Sequence, residues 1–156
     1  MIDLVFQNLT SDKFFKDNFF KKILSIAAEN LFFKKKIEVS LSLVGESKIK
    51  DLNSKYRHKN KVTDVLSFPM IQDTKYVTHD TDLGDIFICL PFAKNQAKSE
   101  NISIESKLAQ LTVHGFLHLA GYDHEGSSRK AREMFDLENR ILKKLSVFLK
   151  SLNPNL

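Results

Sequence analysis

The chain has 156 residues, 42% hydrophobic and 28% charged, a size and balance that fit one soluble globular domain spanning 1–156 and exclude a disordered or fibrous chain. Its single cysteine, Cys89, excludes an internal disulfide, a Cys-x-x-Cys redox pair and a cysteine-rich zinc finger, so any metal must be held by His, Asp or Glu. The net charge of +5 favours polyanionic partners through phosphate contacts, although a lysine-rich surface unrelated to nucleic acid explains the same excess.

No apolar run approaches the roughly 20 residues that a membrane-crossing helix needs, and Met1 to Asp12 lacks the basic-then-apolar pattern of a secretion signal. A cytoplasmic protein with no membrane partner is therefore expected.

Ile2 to Phe6 reads as a first strand. Ser11 to Phe32 reads as an amphipathic helix with Phe20, Ile23, Leu24, Ala27 and Leu31 on one stripe. Lys36 to Val44 alternates Ile37, Val39, Leu41 and Leu43 with Glu38, Ser40 and Ser42, the pattern of a strand with one buried face. Gly45 breaks it, and Ser47 to Tyr56 forms a short helix carrying Ile49 and Leu52. Val65 to Phe68 is a short strand stopped by Pro69. Residues 70–82 are expected as a loop or hairpin, Ile86 to Leu90 as an interior strand, and Pro91 as the first residue of a helix running to about Ser99.

Ser103 is a fitting N-cap for a helix that carries Leu108, Leu111, Phe116 and Leu117 and ends near Gly121. Ser127 or Ser128 caps the last helix, whose expected stripe is Ala131, Met134, Phe135, Ile141, Leu142, Leu145 and Phe148. These elements predict an α/β or α+β single domain with a mixed sheet of about four strands and about five helices.

The chemistry concentrates in the run His114-Gly115-Phe116-Leu117-His118-Leu119-Ala120-Gly121-Tyr122-Asp123-His124. Residues four apart on a helix lie one above the other, so His114 and His118 can aim their imidazoles at one point. Gly121 can take the left-handed conformation that ends a helix, turning the chain so that His124 returns toward the same point. Three neutral imidazoles with a fourth, open position form a catalytic metal arrangement. Such sites also accept nickel, copper and cobalt. The offsets resemble the metzincin protease signature, and a zincin-like metal helix is expected. Gly115, however, stands where those proteases carry their glutamate base. Asp123 is a candidate partner for a ligand ring, and a turn-forming Asp accounts for it equally.

The same run resembles the YbeY-type endoribonucleases, described as ribosomal RNA maturation factors, whose pattern His-Gly-x-Leu-His-Leu-x-Gly-Tyr-Asp-His is met from His114 to His124. Leu52-Asn53, Tyr56-Arg57, Thr63-Asp64-Val65-Leu66-Ser67-Phe68-Pro69, Gly84-Asp85-Ile86, Met134-Phe135 and Glu138 match in order, and Val62 departs where the family commonly has Pro. The resemblance implies one zinc per chain on His114, His118 and His124. It implies cleavage of single-stranded RNA in 16S ribosomal RNA 3′-end maturation and ribosome quality control, with ribosomal RNA and the ribosome or ribosomal proteins as partners. Arg57 would line the RNA cleft and act with His114 and His118 in catalysis.

From the residues alone, Thr63 and Asp64 are expected to fix the loop before a strand, Ser67 to hydrogen-bond near the cleft, and Gly84 and Asp85 to turn the chain into the next strand; Ser67 joins Arg57 as an expected RNA-binding residue. Phe68, Met134 and Phe135 are expected in the core, and Glu138 is either half exposed or paired with a cation. No general base is evident. The competing expectations are another zinc hydrolase, such as a peptidase, and a non-enzymatic assembly factor whose zinc only closes the fold.

Overall fold

The computed structural model describes residues 1–31, 33, 35–71 and 80–154. Among the described residues, four strands and five helices follow one another: β1 (Ile2–Asn8), α1 (Asp17–Asn30), β2 (Ile37–Val44), α2 (Glu46–Arg57), β3 (Val65–Pro69), β4 (Thr81–Cys89), α3 (Leu90–Glu100), α4 (Ile104–Leu119) and α5 (Ser128–Leu152). They form one mixed sheet in the order β1-β2-β4-β3, with β1, β2 and β4 parallel and β3 antiparallel to β4. The parallel β1–α1–β2 unit follows from a helix-period segment between two strand-period segments, since parallel neighbours need a crossover.

Strand alternation divides the apolar residues between the two faces of the sheet. Ile37, Val39, Leu41 and Leu43 of β2, with Ile86 and Ile88 of β4, join Phe20, Ile23 and Leu24 of α1, Phe116 and Leu117 of α4, and Ile141 and Leu145 of α5 in the main core. Each such fully buried side chain contributes about 1.5–3 kcal/mol of transfer free energy. The alternate residues Leu66 and Cys89 face the other way and meet Val44 and Ile49 in a smaller cluster beneath α2.

Four expectations change. Helix α1 begins at Asp17, not Ser11, because Asp12 is bound into a turn: its Oδ1 accepts from Phe14 N at 2.9 Å, and its carboxylate pairs with Lys94. The expected end at Phe32 lies outside the described residues, as do residues 72–79 of the loop expected over 70–82.

Strand β4 starts at Thr81, so Gly84 and Asp85 lie inside a strand rather than in a turn before it. Asp82, Gly84 and Asp85 hide the strand pattern from the sequence, and pairing to β2 on one side and β3 on the other supplies what local propensity lacks. The β2–β4 register steps from Glu38↔Asp82 to Ser40↔Asp85, leaving one extra residue on β4. Gly84 occupies this bulge at φ +125°, and a Cβ there would stand 2.1 Å from the Phe68 carbonyl oxygen.

Phe135 is 64% exposed, while Met134, Leu137, Ile141, Leu145 and Leu149 form the buried stripe of α5. Packing against α4 and α1 selects that narrower stripe from a helix that offers more apolar residues than one face can bury. Phe68 is half-buried, meeting Tyr56 and Phe87 edge-on at ring-centroid distances of 5.2 and 5.8 Å.

Candidate metal centre

Helix α4 holds the first two histidines rigidly. Ser103 caps it by accepting from Ser106 N at 3.0 Å, and Leu108, Leu111, Phe116, Leu117 and Leu119 bury its core face. His114 and His118 remain half-buried on the flank left over. The helix closes in a Schellman turn: Gly121 N donates to His118 O at 3.0 Å and Tyr122 N to Leu117 O at 2.9 Å. Gly121 takes φ +93°, the conformation that glycine adopts without strain, and the chain doubles back.

That reversal brings His124 to the helix flank. Ring centroids of His114 and His118 lie 4.7 Å apart, those of His114 and His124 5.4 Å, and those of His118 and His124 5.0 Å. One ligand nitrogen from each ring lies within 4.8 Å of the others, an arrangement positioned to hold a metal ion. His114 Nε2 and His118 Nε2 are 3.2 Å apart. Burial, together with the neighbouring His114 and His124, pushes His118 down to about 4, so its imidazole is neutral near pH 7 and keeps the lone pair that a metal ligand requires.

The outer face of His114 is held by α5, where Glu138 Oε2 lies 3.1 Å from His114 Nδ1. Glu138 is thus half-buried and paired with an imidazole. Its place just after Leu137 on the buried stripe was the signal: an acid there needs a partner. Asp123 is exposed and its Oδ1 accepts from Glu125 N at 2.9 Å, which holds its carboxyl below the usual range. The carboxylate found beside a ligand ring at hydrogen-bond distance is therefore that of Glu138.

Gly115 faces the sheet. A Cβ at this position would meet Ile86 Cγ2 at 3.0 Å and Ser67 Oγ at 3.1 Å, so α4 lies too close to β3 and β4 for a glutamate base to fit. Ser67 is buried and its hydroxyl donates to the Gly115 carbonyl at 3.2 Å. Its own carbonyl accepts from Arg57 Nη2 at 3.0 Å. Arg57 ends α2, and His58 follows in the left-handed conformation at φ 57°. Asn53, buried on the same helix, donates from Nδ2 to Lys61 O at 2.9 Å, and its main-chain carbonyl accepts from Lys59 N at 3.2 Å, pinning the basic segment after Arg57. Asp64 caps β3 by accepting from Val65 N at 2.7 Å, and its other oxygen takes Gln96 Nε2 at 3.2 Å, so its role is to shape the loop.

These elements enclose a cleft of about 560 Å³ whose wall includes the three histidines, Arg57, Ser67 and Asp123. Lys59 and Lys61 also line it; reasoning from the sequence missed them, and their signal was two cations at the second and fourth positions after Arg57. The cleft joins a histidine trio positioned to hold a metal ion to three cations, a combination suited to a phosphate-bearing polymer.

The model of the family described as Endoribonuclease YbeY matches residues 5–146. Among curated proteins, the Endoribonuclease YbeY of Sulfurihydrogenibium sp. (strain YO3AOP1) is 39% identical over 142 residues, 91% of this chain and 88% of its own length. That of Thermodesulfovibrio yellowstonii is 42% identical over 125 residues, 80% of this chain and 76% of its own. A Thermotoga maritima protein solved in solution superposes with a TM-score of 0.69 at 28% identity, covering 100% of this chain and 96% of that one. The histidine run, the mixed sheet and these matches agree, and the chain belongs to the YbeY endoribonuclease family.

Proposed function

We propose that this chain is a zinc-dependent endoribonuclease that cuts single-stranded RNA, working in the cytoplasm on the 3′-end maturation of 16S ribosomal RNA and in ribosome quality control, with the ribosome or its proteins as partners. The observation that carries this reading is the convergence of three imidazoles in the same cleft as Arg57, Lys59 and Lys61.

The donor set fits zinc. Two nitrogens each about 2.0–2.1 Å from a tetrahedral zinc stand roughly 3.3 Å apart, close to the 3.2 Å between the Nε2 atoms of His114 and His118. His114, His118 and His124 would hold the ion, leaving a fourth position for water or substrate. Bound there, zinc supplies a Lewis acid able to acidify water or polarise a phosphate oxygen.

The remaining work falls to the chain itself. A guanidinium carries five donors, so Arg57, anchored by one contact to Ser67 O, keeps a planar fork for phosphate oxygens. Lys59 and Lys61 attract the neighbouring backbone, and the tight seat of Gly115 removes the protease base while keeping the ligand spacing. Peptide hydrolysis is accordingly disfavoured.

The test compares metal-analysed parent protein with His114→Ala and Arg57→Glu on unstructured RNA, on duplex RNA and on a 3′-extended 16S fragment. Zinc-free His114→Ala should lose cleavage. Arg57→Glu should keep its metal and lose RNA affinity. Unchanged cleavage by zinc-free His114→Ala would overturn the catalytic metal, and RNA binding without turnover by the parent would favour the assembly-factor reading.

A further inference from the structure

We propose that Glu138 is a positioning residue of the metal centre, fixing His114 in the tautomer that carries its proton on Nδ1 and turns the Nε2 lone pair toward the cation. The proposal rests on the reading of the histidine trio as a metal site and is independent of what the cleft cleaves.

The two ring nitrogens of His114 face different ways. Nε2 lies 3.2 Å from His118 Nε2, inside the trio, while Nδ1 lies 3.1 Å from Glu138 Oε2, outside it. A carboxylate accepts and cannot donate, so a neutral ring beside it must place its proton on Nδ1. The lone pair is then left on Nε2, the atom that faces the other ligands. Without the carboxylate, both tautomers are open to the imidazole, and the ring is free to turn about its bond to Cβ.

Glu138 has no other evident duty. Its side chain is only 21% exposed, and among the described residues no Lys or Arg pairs with it. A carboxylate removed this far from water is costly without a partner. Of the other acids near the trio, Asp123 is held by Glu125 N and Asp64 by Val65 N and Gln96, while the exposed Glu125 stands 3.9 Å from His124 Nε2, beyond hydrogen-bond distance. Glu138 also stands off the cleft wall, which Asp123 and Glu125 line, so it acts through His114 and not on substrate. The carboxylate comes from α5 and the ring from α4, so the pair also ties the last helix to the metal-bearing one.

Two measurements on the full-length chain test this. In metal-free parent protein, two-bond ¹H–¹⁵N correlation of the histidine rings should find His114 with a protonated Nδ1 and a bare Nε2; a ring protonated on Nε2 would overturn the proposal outright. In chelator competition with Zn²⁺ alone, Glu138→Ala should weaken binding 10- to 100-fold and Glu138→Gln by less, with far-UV circular dichroism of both matching the parent. Folded variants that bind Zn²⁺ as tightly as the parent would also overturn it. If a variant fails to fold, the tautomer of the parent decides alone. Neither readout involves RNA, so absence of RNA cleavage would sink the proposed activity and leave this inference standing.

Discussion

Ser67 on β3 spans the gap to the histidine-bearing helix α4, its hydroxyl donating to the Gly115 carbonyl at 3.2 Å while its own carbonyl accepts from Arg57 at 3.0 Å. One buried residue therefore sets where the guanidinium sits relative to α4. Ser67→Ala removes the hydroxyl and keeps the carbonyl. Stability should fall by about 0.5–1.5 kcal/mol, the net contribution of one hydrogen bond, in urea titration, while RNA affinity holds because the Arg57 contact survives. Lost affinity with unchanged stability would instead make the hydroxyl an RNA ligand.

Metal removal should loosen one segment and spare the fold. The main core is closed by apolar packing of α1, α4 and α5 on the sheet, and the trio lies at its edge, with His124 46% exposed. Chelation should abolish RNA cleavage, raise hydrogen exchange between Gly121 and Ser127, and leave far-UV circular dichroism unchanged. Global unfolding on chelation would mean that the metal is structural.

Acid should weaken the metal-free protein through His118. An unfolded histidine titrates near 6.5, whereas burial and the adjacent histidines hold His118 at about 4. Between those values the unfolded chain binds more protons than the folded one, so stability is lost as pH falls through that window. Denaturation midpoints of metal-free His118→Ala should show a shallower decline over the same range than those of the parent; equal slopes would discount the shift.

Gly84→Ala should be among the most damaging single changes outside the site. The left-handed bulge at φ +125° and the 2.1 Å approach to Phe68 O leave a Cβ nowhere to go without moving β3 away from β4. A loss of about 2–4 kcal/mol is expected from strain and clash together. Thermal denaturation reads it, and a loss below about 1 kcal/mol would mean that the bulge relaxes easily.

Gly115→Glu should not create a peptidase. The position points into the contact between α4 and Ile86, so a carboxylate there would be buried without a partner. The variant should unfold at markedly lower urea than the parent. Chelator-sensitive peptide cleavage by a stable variant would contradict the packing described for α4.

The histidine spacing, the N-cap at Ser103 and the glycine at 121 are local features, each acting within a few residues of chain, and they make the histidine-bearing helix and its reversal readable from the chain alone. The periodicities of β2 and α1 did the same for the core, because burial on one face imposes a repeat that a linear string preserves. Tertiary structure decided what depends on distant partners. It placed Asp82, Gly84 and Asp85 in a strand through pairing with β2 and β3. It turned Phe135 outward because α4 and α1 cover only one stripe of α5, and it brought Glu138 to His114 across 24 residues of sequence. A hydrogen bond between side chains on separate helices leaves no period and no motif in the sequence, so only the fold reveals which acid reaches which ring.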